Sequence, residues 1–189
     1  MFIYDIEIKR GIAPANPVER VDGIEYCAGW EDYATMGVAV IGVFDYTTDS
    51  YRIFGEKELA DFQQFADRHD RAIGFNNNRF DNNVLRANGV VIQPNKSYDI
   101  LAEIFHALGS FQKGCRLENV VKANFPNAAG KSGNGADAPI DWQRGRHTKV
   151  IDYCLNDVRI TKMVLDRILR FGYINNPINP SQILKLRRP

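Results

Sequence analysis

The chain has 189 residues, 44% hydrophobic and 25% charged, which fits one substantial folded domain and excludes a disordered chain. Its formal net charge is +1, so no global basicity announces a polyanionic partner and any affinity for nucleic acid must rest on a local patch. Three cysteines, Cys27, Cys115 and Cys154, are odd in number and lack close spacing, which argues against a disulfide framework or a zinc knuckle. With no visible signal peptide and no run of about 20 apolar residues, the expectation is a soluble, cytoplasmic protein without a membrane partner.

In chain order, Phe2 to Ile8 is rich in β-branched residues and predicts a strand. Residues 9 to 34, with Gly11, Pro14 and Pro17, read as an irregular excursion of open role. Met36 to Tyr46 predicts a buried central strand, joined through Thr47-Thr48-Asp49-Ser50 to a hairpin partner at Tyr51–Phe54. Leu59, Phe62, Phe65 and Ala66 mark an amphipathic helix over 56–68. A short strand at Ala72–Phe75, a helix from Phe80 to Asn88 ending at Gly89, and a helix from Asp99 through Leu108 follow. Leu117 to Ala123 predicts another helix. Pro126 to Pro139 reads as a loop by composition, ahead of a long helix over about 147–170. The residues after Gly172 read as a strap or a partly disordered tail, so the predicted organisation is a domain over 1–171 and a tail over 172–189. Strands first and helices after predict an α/β domain around a mixed sheet.

Four acids from three separate segments carry the chemistry. Asp5 and Glu7 are two apart on a strand, so their carboxylates share a face. Asp81 sits at a helix start, where an N-cap is the plainer reading of an isolated Asp. Tyr153 and Asp157 are four apart on the last helix and share a face at the shoulder of its apolar stripe. Such a set of oxygens suits Mg²⁺ or Mn²⁺, and two such ions can clamp a phosphodiester.

The three segments, Asp5-Ile6-Glu7, Gly74-Phe75-Asn76-x-x-x-Phe80-Asp81 and Tyr153-Cys154-Leu155-x-Asp157, resemble the motifs of the DEDD superfamily of 3′→5′ exonucleases. Tyr153 aligns the chain with the tyrosine (DEDDy) branch. The second and third motifs are similar to those of family B DNA polymerase proofreading domains, and the size is similar to that of stand-alone bacterial or phage members. The resemblance covers roughly residues 1 to 171. It departs at Ile8, where a small residue is common, and at 9–34, which minimal members lack.

The resemblance implies a ribonuclease-H-like mixed sheet flanked by helices, and a two-ion 3′→5′ exonuclease releasing nucleoside 5′-monophosphates from single-stranded nucleic acid, DNA favoured over RNA. It implies Asp5, Glu7, Asp81 and Asp157 as ligands of two Mg²⁺ or Mn²⁺ ions and Tyr153 as the residue that orients the attacking water. Asn76, Phe80 and Lys131 are candidate contacts to a 3′ end; the competing readings are a turn residue for Asn76 and a core position for Phe80 and Phe75. Asp99 reads as an N-cap in preference to a fifth ligand. Arg116, Lys122, Lys131, Arg144, Arg146 and Lys149 are candidates for a basic rim or an ordinary solvated surface. Gly130-Lys131-Ser132 lacks the first glycine of a P-loop, since Phe125 stands there, and is excluded as one. A ribonuclease-H-like endonuclease and an inactive nucleic-acid-binding module are the alternative readings.

Overall fold

The computed structural model describes residues 1–128 and 135–189. Five strands, β1 (Phe2–Ile8), β2 (Val38–Asp45), β3 (Ser50–Gly55), β4 (Ala72–Gly74) and β5 (Ser97–Asp99), form one mixed sheet in the order β3-β2-β1-β4-β5. β1, β2 and β3 pair antiparallel, while β4 runs parallel to β1 and to β5. The helices are α1 (Tyr33–Met36), α2 (Leu59–Asp67), α3 (Asp81–Ala87), α4 (Ile100–Leu108), α5 (Leu117–Asn124), α6 (Ala138–Gln143) and α7 (His147–Phe171). The expected α/β architecture, a mixed sheet flanked by helices, is what the chain adopts.

Alternation along β1 divides the core in two. Phe2, Tyr4, Ile6 and Ile8 point to the face covered by Phe62 and Phe65 of α2 and by Val84 and Leu85 of α3. Ile3 points the other way, into a cluster with Val158, Val164, Leu165 and Ile168 of α7. All eight partners on the helices are buried, and each such aliphatic or aromatic side chain contributes about 1.5–3 kcal/mol by leaving water. Asp5 and Glu7 share the Ile3 side, so the same alternation that builds the core delivers two acids to α7.

β4 reaches only as far as Phe2 and Ile3 of β1, which leaves the Tyr4–Ile8 half of that edge open to the loop that follows β4. A polar network ties this loop to the sheet. Asn77 Nδ2 donates to the Tyr4 hydroxyl and to Ser97 Oγ, both at 3.0 Å, and the Tyr4 hydroxyl donates to Asn82 Oδ1.

Three segments differ from the sequence expectation. The Pro126–Pro139 loop is shorter on its C-terminal side, because Gly135–Asp137 forms a 3₁₀ turn and α6 begins at Ala138. Pro139 supplies the fixed φ that suits the first turn of a helix, and Asp141 anchors α6 through Arg146 at 2.9 Å and Lys149 at 2.6 Å. The tail is ordered: β6 (Tyr173–Asn175) and β7 (Ile183–Lys185) pair antiparallel, and Ile174, Leu184 and Leu186 are buried in the α4/α5/α7 cluster. The 9–34 excursion is fixed as well. Gln143 of α6 donates to Lys9 O and Glu25 O and accepts from Glu25 N–H, and Arg10 pairs with Glu25 at 2.6 Å.

Candidate active site

Asp5, Glu7 and Asp157 each bring a carboxylate oxygen within 4.8 Å of the other two. Glu7 and Asp157 are buried and Asp5 is half-buried. Their approach depends on Gly42, the β2 residue paired with Asp5. A Cβ on Gly42 would stand 2.9 Å from Cys154 Sγ and 3.2 Å from Val158 Cγ2, so only glycine lets α7 settle this close to the strand. Cys154 Sγ donates to the Asp5 carbonyl at 3.4 Å, which links the helix to the strand at the cluster itself. Burial, together with the charges of Asp5 and Glu7, pushes the Cys154 thiol far above its ordinary pKa, so it stays protonated and serves as a donor.

Asp81 lies at the first position of α3, with Phe80 as the N-cap residue, so the competing N-cap reading does not describe it. Its carboxylate accepts from its own backbone N–H and from that of Ile6, between Asp5 and Glu7 on the open edge of β1. It stands outside the close trio but lines the same cavity. Burial, reinforced by the charges of Asp99 and Asp157, raises its pKa to about 7, against the two amide bonds that favour the ion. Carboxylates held this close and this dry repel one another and are stabilised by a cation. The all-oxygen, mostly buried donor set therefore fits a hard divalent ion such as Mg²⁺ or Mn²⁺.

Tyr153 is buried, one helical turn before Asp157, with its hydroxyl 3.3 Å from the Cβ position of Gly135. Both residues line a cavity of 630 Å³ together with Asp5, Glu7, Asp81 and Phe80. A second cavity of 660 Å³ continues from it, sharing Asp5, Phe75, Asn76, Arg116 and Asp157. Five of the predicted site residues, Asp5, Glu7, Asp81, Tyr153 and Asp157, are thus brought to one concave surface.

Asn76 lines both cavities with a left-handed backbone (φ 68°), a conformation Asn tolerates better than most residues. Asp99 imposes it. Its Oδ1 accepts from Asn76 N–H at 2.9 Å and Leu101 N–H at 2.9 Å, and its Oδ2 from Asn78 N–H at 3.1 Å. Asp99 is therefore the N-cap of α4, as its sequence context suggests, and also the clamp on the Asn76 loop. Burial raises its pKa despite these amides.

Phe80 packs against the α2/α3 core, as the core reading expects, and also lines the cavity. Lys131 lies outside the described residues. Of the remaining candidate rim cations, Arg116 lines both cavities, whereas Arg146 and Lys149 are paired with Asp141. Sequence reasoning missed the contribution of the excursion: Ile12, Ile24, Tyr26 and Trp30 form part of the cavity wall. It also missed Arg79, which lines the second cavity, although Arg79 stands inside the second motif.

No family model matches the chain, and no curated protein matches it by sequence. By fold it is similar to the family B DNA polymerase of the hyperthermophilic archaeon Pyrobaculum calidifontis, with a TM-score of 0.63, 18% identity and 90% of this chain covered. The chain spans about a quarter of that polymerase, 24% of its length. The likeness identifies the ribonuclease-H-like fold. No helix among the described residues is long and apolar enough to cross a membrane.

Proposed function

We propose that the protein is a DEDDy-type 3′→5′ exonuclease that hydrolyses single-stranded nucleic acid, DNA in preference to RNA, from its 3′ end. The observation that carries the reading is the convergence of three carboxylates within 4.8 Å at the floor of a cavity that Tyr153 and Asp81 also line. The fold shared with a family B DNA polymerase supports it, as do the three motifs in their expected order.

In this reading Asp5, Glu7 and Asp157 would hold one divalent cation, and Asp5 with Asp81 would hold a second. Bound Mg²⁺ or Mn²⁺ would acidify a water and neutralise charge on the phosphodiester. The Tyr153 hydroxyl orients the attacking water in line with the scissile bond. Water oxygen bonds to phosphorus, the bond from phosphorus to the departing 3′ oxygen breaks, and that oxygen gains a proton. The products are a nucleoside 5′-monophosphate and a strand one residue shorter. The buried Glu7, Asp81 and Asp157 fix where the carboxylates stand around the cavity. Arg116 and Arg79 offer positive charge to the phosphates of the remaining strand.

The test is digestion of a 5′-labelled DNA oligomer with Mn²⁺, beside the matching RNA and a covalently closed circle. A ladder shortening from the 3′ end, absent for Asp157→Ala, is the expected result. Cutting of the circle would move the assignment to an endonuclease, and no metal-dependent cleavage of any substrate would remove the nuclease reading.

A further inference from the structure

The excursion over residues 9–34 is not ordinary surface chain. It is held against α6 by three hydrogen bonds, two that Gln143 donates to Lys9 O and Glu25 O and one that it accepts from Glu25 N–H, and the Arg10–Glu25 pair braces it internally. Cys27 N–H donates to Gly11 O at 3.0 Å and closes its base. At its far side Asp32 accepts from Ala28 N–H at 2.8 Å and donates its own N–H to Gly29 O at 3.1 Å, forming a tight turn around Trp30. This fixed turn carries an indole that is 71% exposed yet lines the cavity of the acidic cluster. No ring among the described residues stacks on it. Tyr26, beside it, uses its hydroxyl to accept from Val21 N–H, which leaves the ring available to the cavity. A tryptophan held out on a pinned turn at the mouth of a site is an aromatic surface prepared for a planar ligand.

The other end of the same concave surface adds cations. Arg79 and Arg116 line the second cavity, are exposed, and make no ion pair among the described residues. Beyond them Phe105 and Phe111 continue the groove, Phe111 being 65% exposed. Each nucleotide brings a phosphate and a base: the two arginines suit phosphates along the strand, and Trp30, which lines the same cavity as Asp5, Glu7 and Asp157, suits the base of the nucleotide held at those acids.

Building on the exonuclease reading, we propose that the excursion is a terminal-base clamp: Trp30 stacks on the base of the 3′-terminal nucleotide while Arg79 and Arg116 grip the preceding phosphates. The clamp holds the last nucleotide against Trp30, which leaves its phosphodiester over Asp5, Glu7 and Asp157. Because every base has a π face, the grip is tolerant of sequence but requires an unpaired end. Trp30 acts here as a positioning residue, remote from the reacting atoms.

The chain has two tryptophans, and Trp142→Phe leaves Trp30 as the sole indole. In an Asp157→Asn/Trp142→Phe protein, which leaves the strand intact, Trp30 emission is followed during titration with a DNA dodecamer. A matched oligomer with an abasic 3′-terminal residue is run beside it, and binding is followed separately by anisotropy of a 5′ dye. The expected result is strong quenching by the intact oligomer and little by the abasic one, although both bind. In the otherwise native enzyme, Trp30→Ala should raise KM about tenfold, the loss of one base stack, with kcat nearly unchanged and Trp30→Phe restoring most of the effect. Equal quenching by both oligomers, binding without quenching, or an unchanged KM in Trp30→Ala would overturn the clamp and leave the exonuclease assignment standing. Absence of both binding and digestion would remove that assignment, and the clamp with it.

Discussion

Gly42→Ala is the substitution that most sharply probes how the site is held together. The added methyl carbon would lie 2.9 Å from Cys154 Sγ and 3.2 Å from Val158 Cγ2, both on fully buried side chains of α7. Ordinary non-bonded contacts are about 3.5–4.0 Å, so the helix must lift by roughly half an ångström or the two side chains must turn. Overpacking of this kind costs about 1–3 kcal/mol, partly offset by the about 0.4–1 kcal/mol that alanine contributes by restricting the unfolded chain. The expected net loss is about 0.5–2 kcal/mol in urea unfolding without metal. In a Cys154→Ala background the shortest contact is gone, and the same substitution should be close to neutral. The lift also carries Tyr153 and Asp157 away from Asp5 and Glu7, so Mn²⁺ affinity should fall in the single variant and partly recover in the double. A stability cost equal in the two backgrounds within about 0.5 kcal/mol would refute the claim that Gly42 sets the distance between α7 and the sheet.

Three further predictions concern the supports of the site. Asp81 has its pKa raised from an ordinary carboxylate value to about 7 in the folded protein, so between about pH 4 and pH 7 the folded state holds more protons than the unfolded one. Metal-free stability should therefore fall as pH rises through that window, by an amount on the order of 3–4 kcal/mol, and Asp81→Asn should flatten that part of the profile in chemical denaturation. Asp99→Ala strips the acceptor from backbone amides of Asn76, Asn78 and Leu101, and should cost about 2–3 kcal/mol while raising KM through the loosened Asn76 loop; Asp99→Asn, which keeps one acceptor oxygen, should lose less. Gln143→Ala should accelerate limited proteolysis within residues 9–34 with a global loss of only about 1–2 kcal/mol; unchanged cleavage there would mean that the excursion is held by other contacts.

What could be read from the sequence follows periodicity and local chemistry. The two-residue period of β1 identified the face shared by Asp5 and Glu7, and the 3.6-residue period of α7 set Tyr153 and Asp157 together. The acid cluster was legible because the periods of β1 and α7 each set their acids on one inward side. The remaining features depend on non-local contacts. The Ala138–Gln143 helix is short, follows a Gly-rich stretch, and is anchored by Arg146 and Lys149, so its own composition carries little signal. β6 and β7 have three residues each with only Ile174 and Leu184 turned inward, too short a run for alternation to declare itself. The excursion gave no sign of its position because Gln143, which fixes it, is 118 residues from Glu25. Nor could the sequence show that the open edge of β1 would be filled by the Asp81 carboxylate at Ile6, since strand lengths across a sheet are set by packing.

The account stands most directly on the claim that Asp5, Glu7 and Asp157 are held together for a divalent cation. Thermal unfolding with and without Mn²⁺, for the native protein and for Asp157→Asn, tests it without reference to any substrate. Removing one of three mutually repelling acids should raise the melting temperature of the metal-free protein, and should abolish most of the Mn²⁺-dependent rise seen in the native one. An Asp157→Asn protein that is no more stable without metal, and that gains as much from Mn²⁺ as the native chain, would contradict the account.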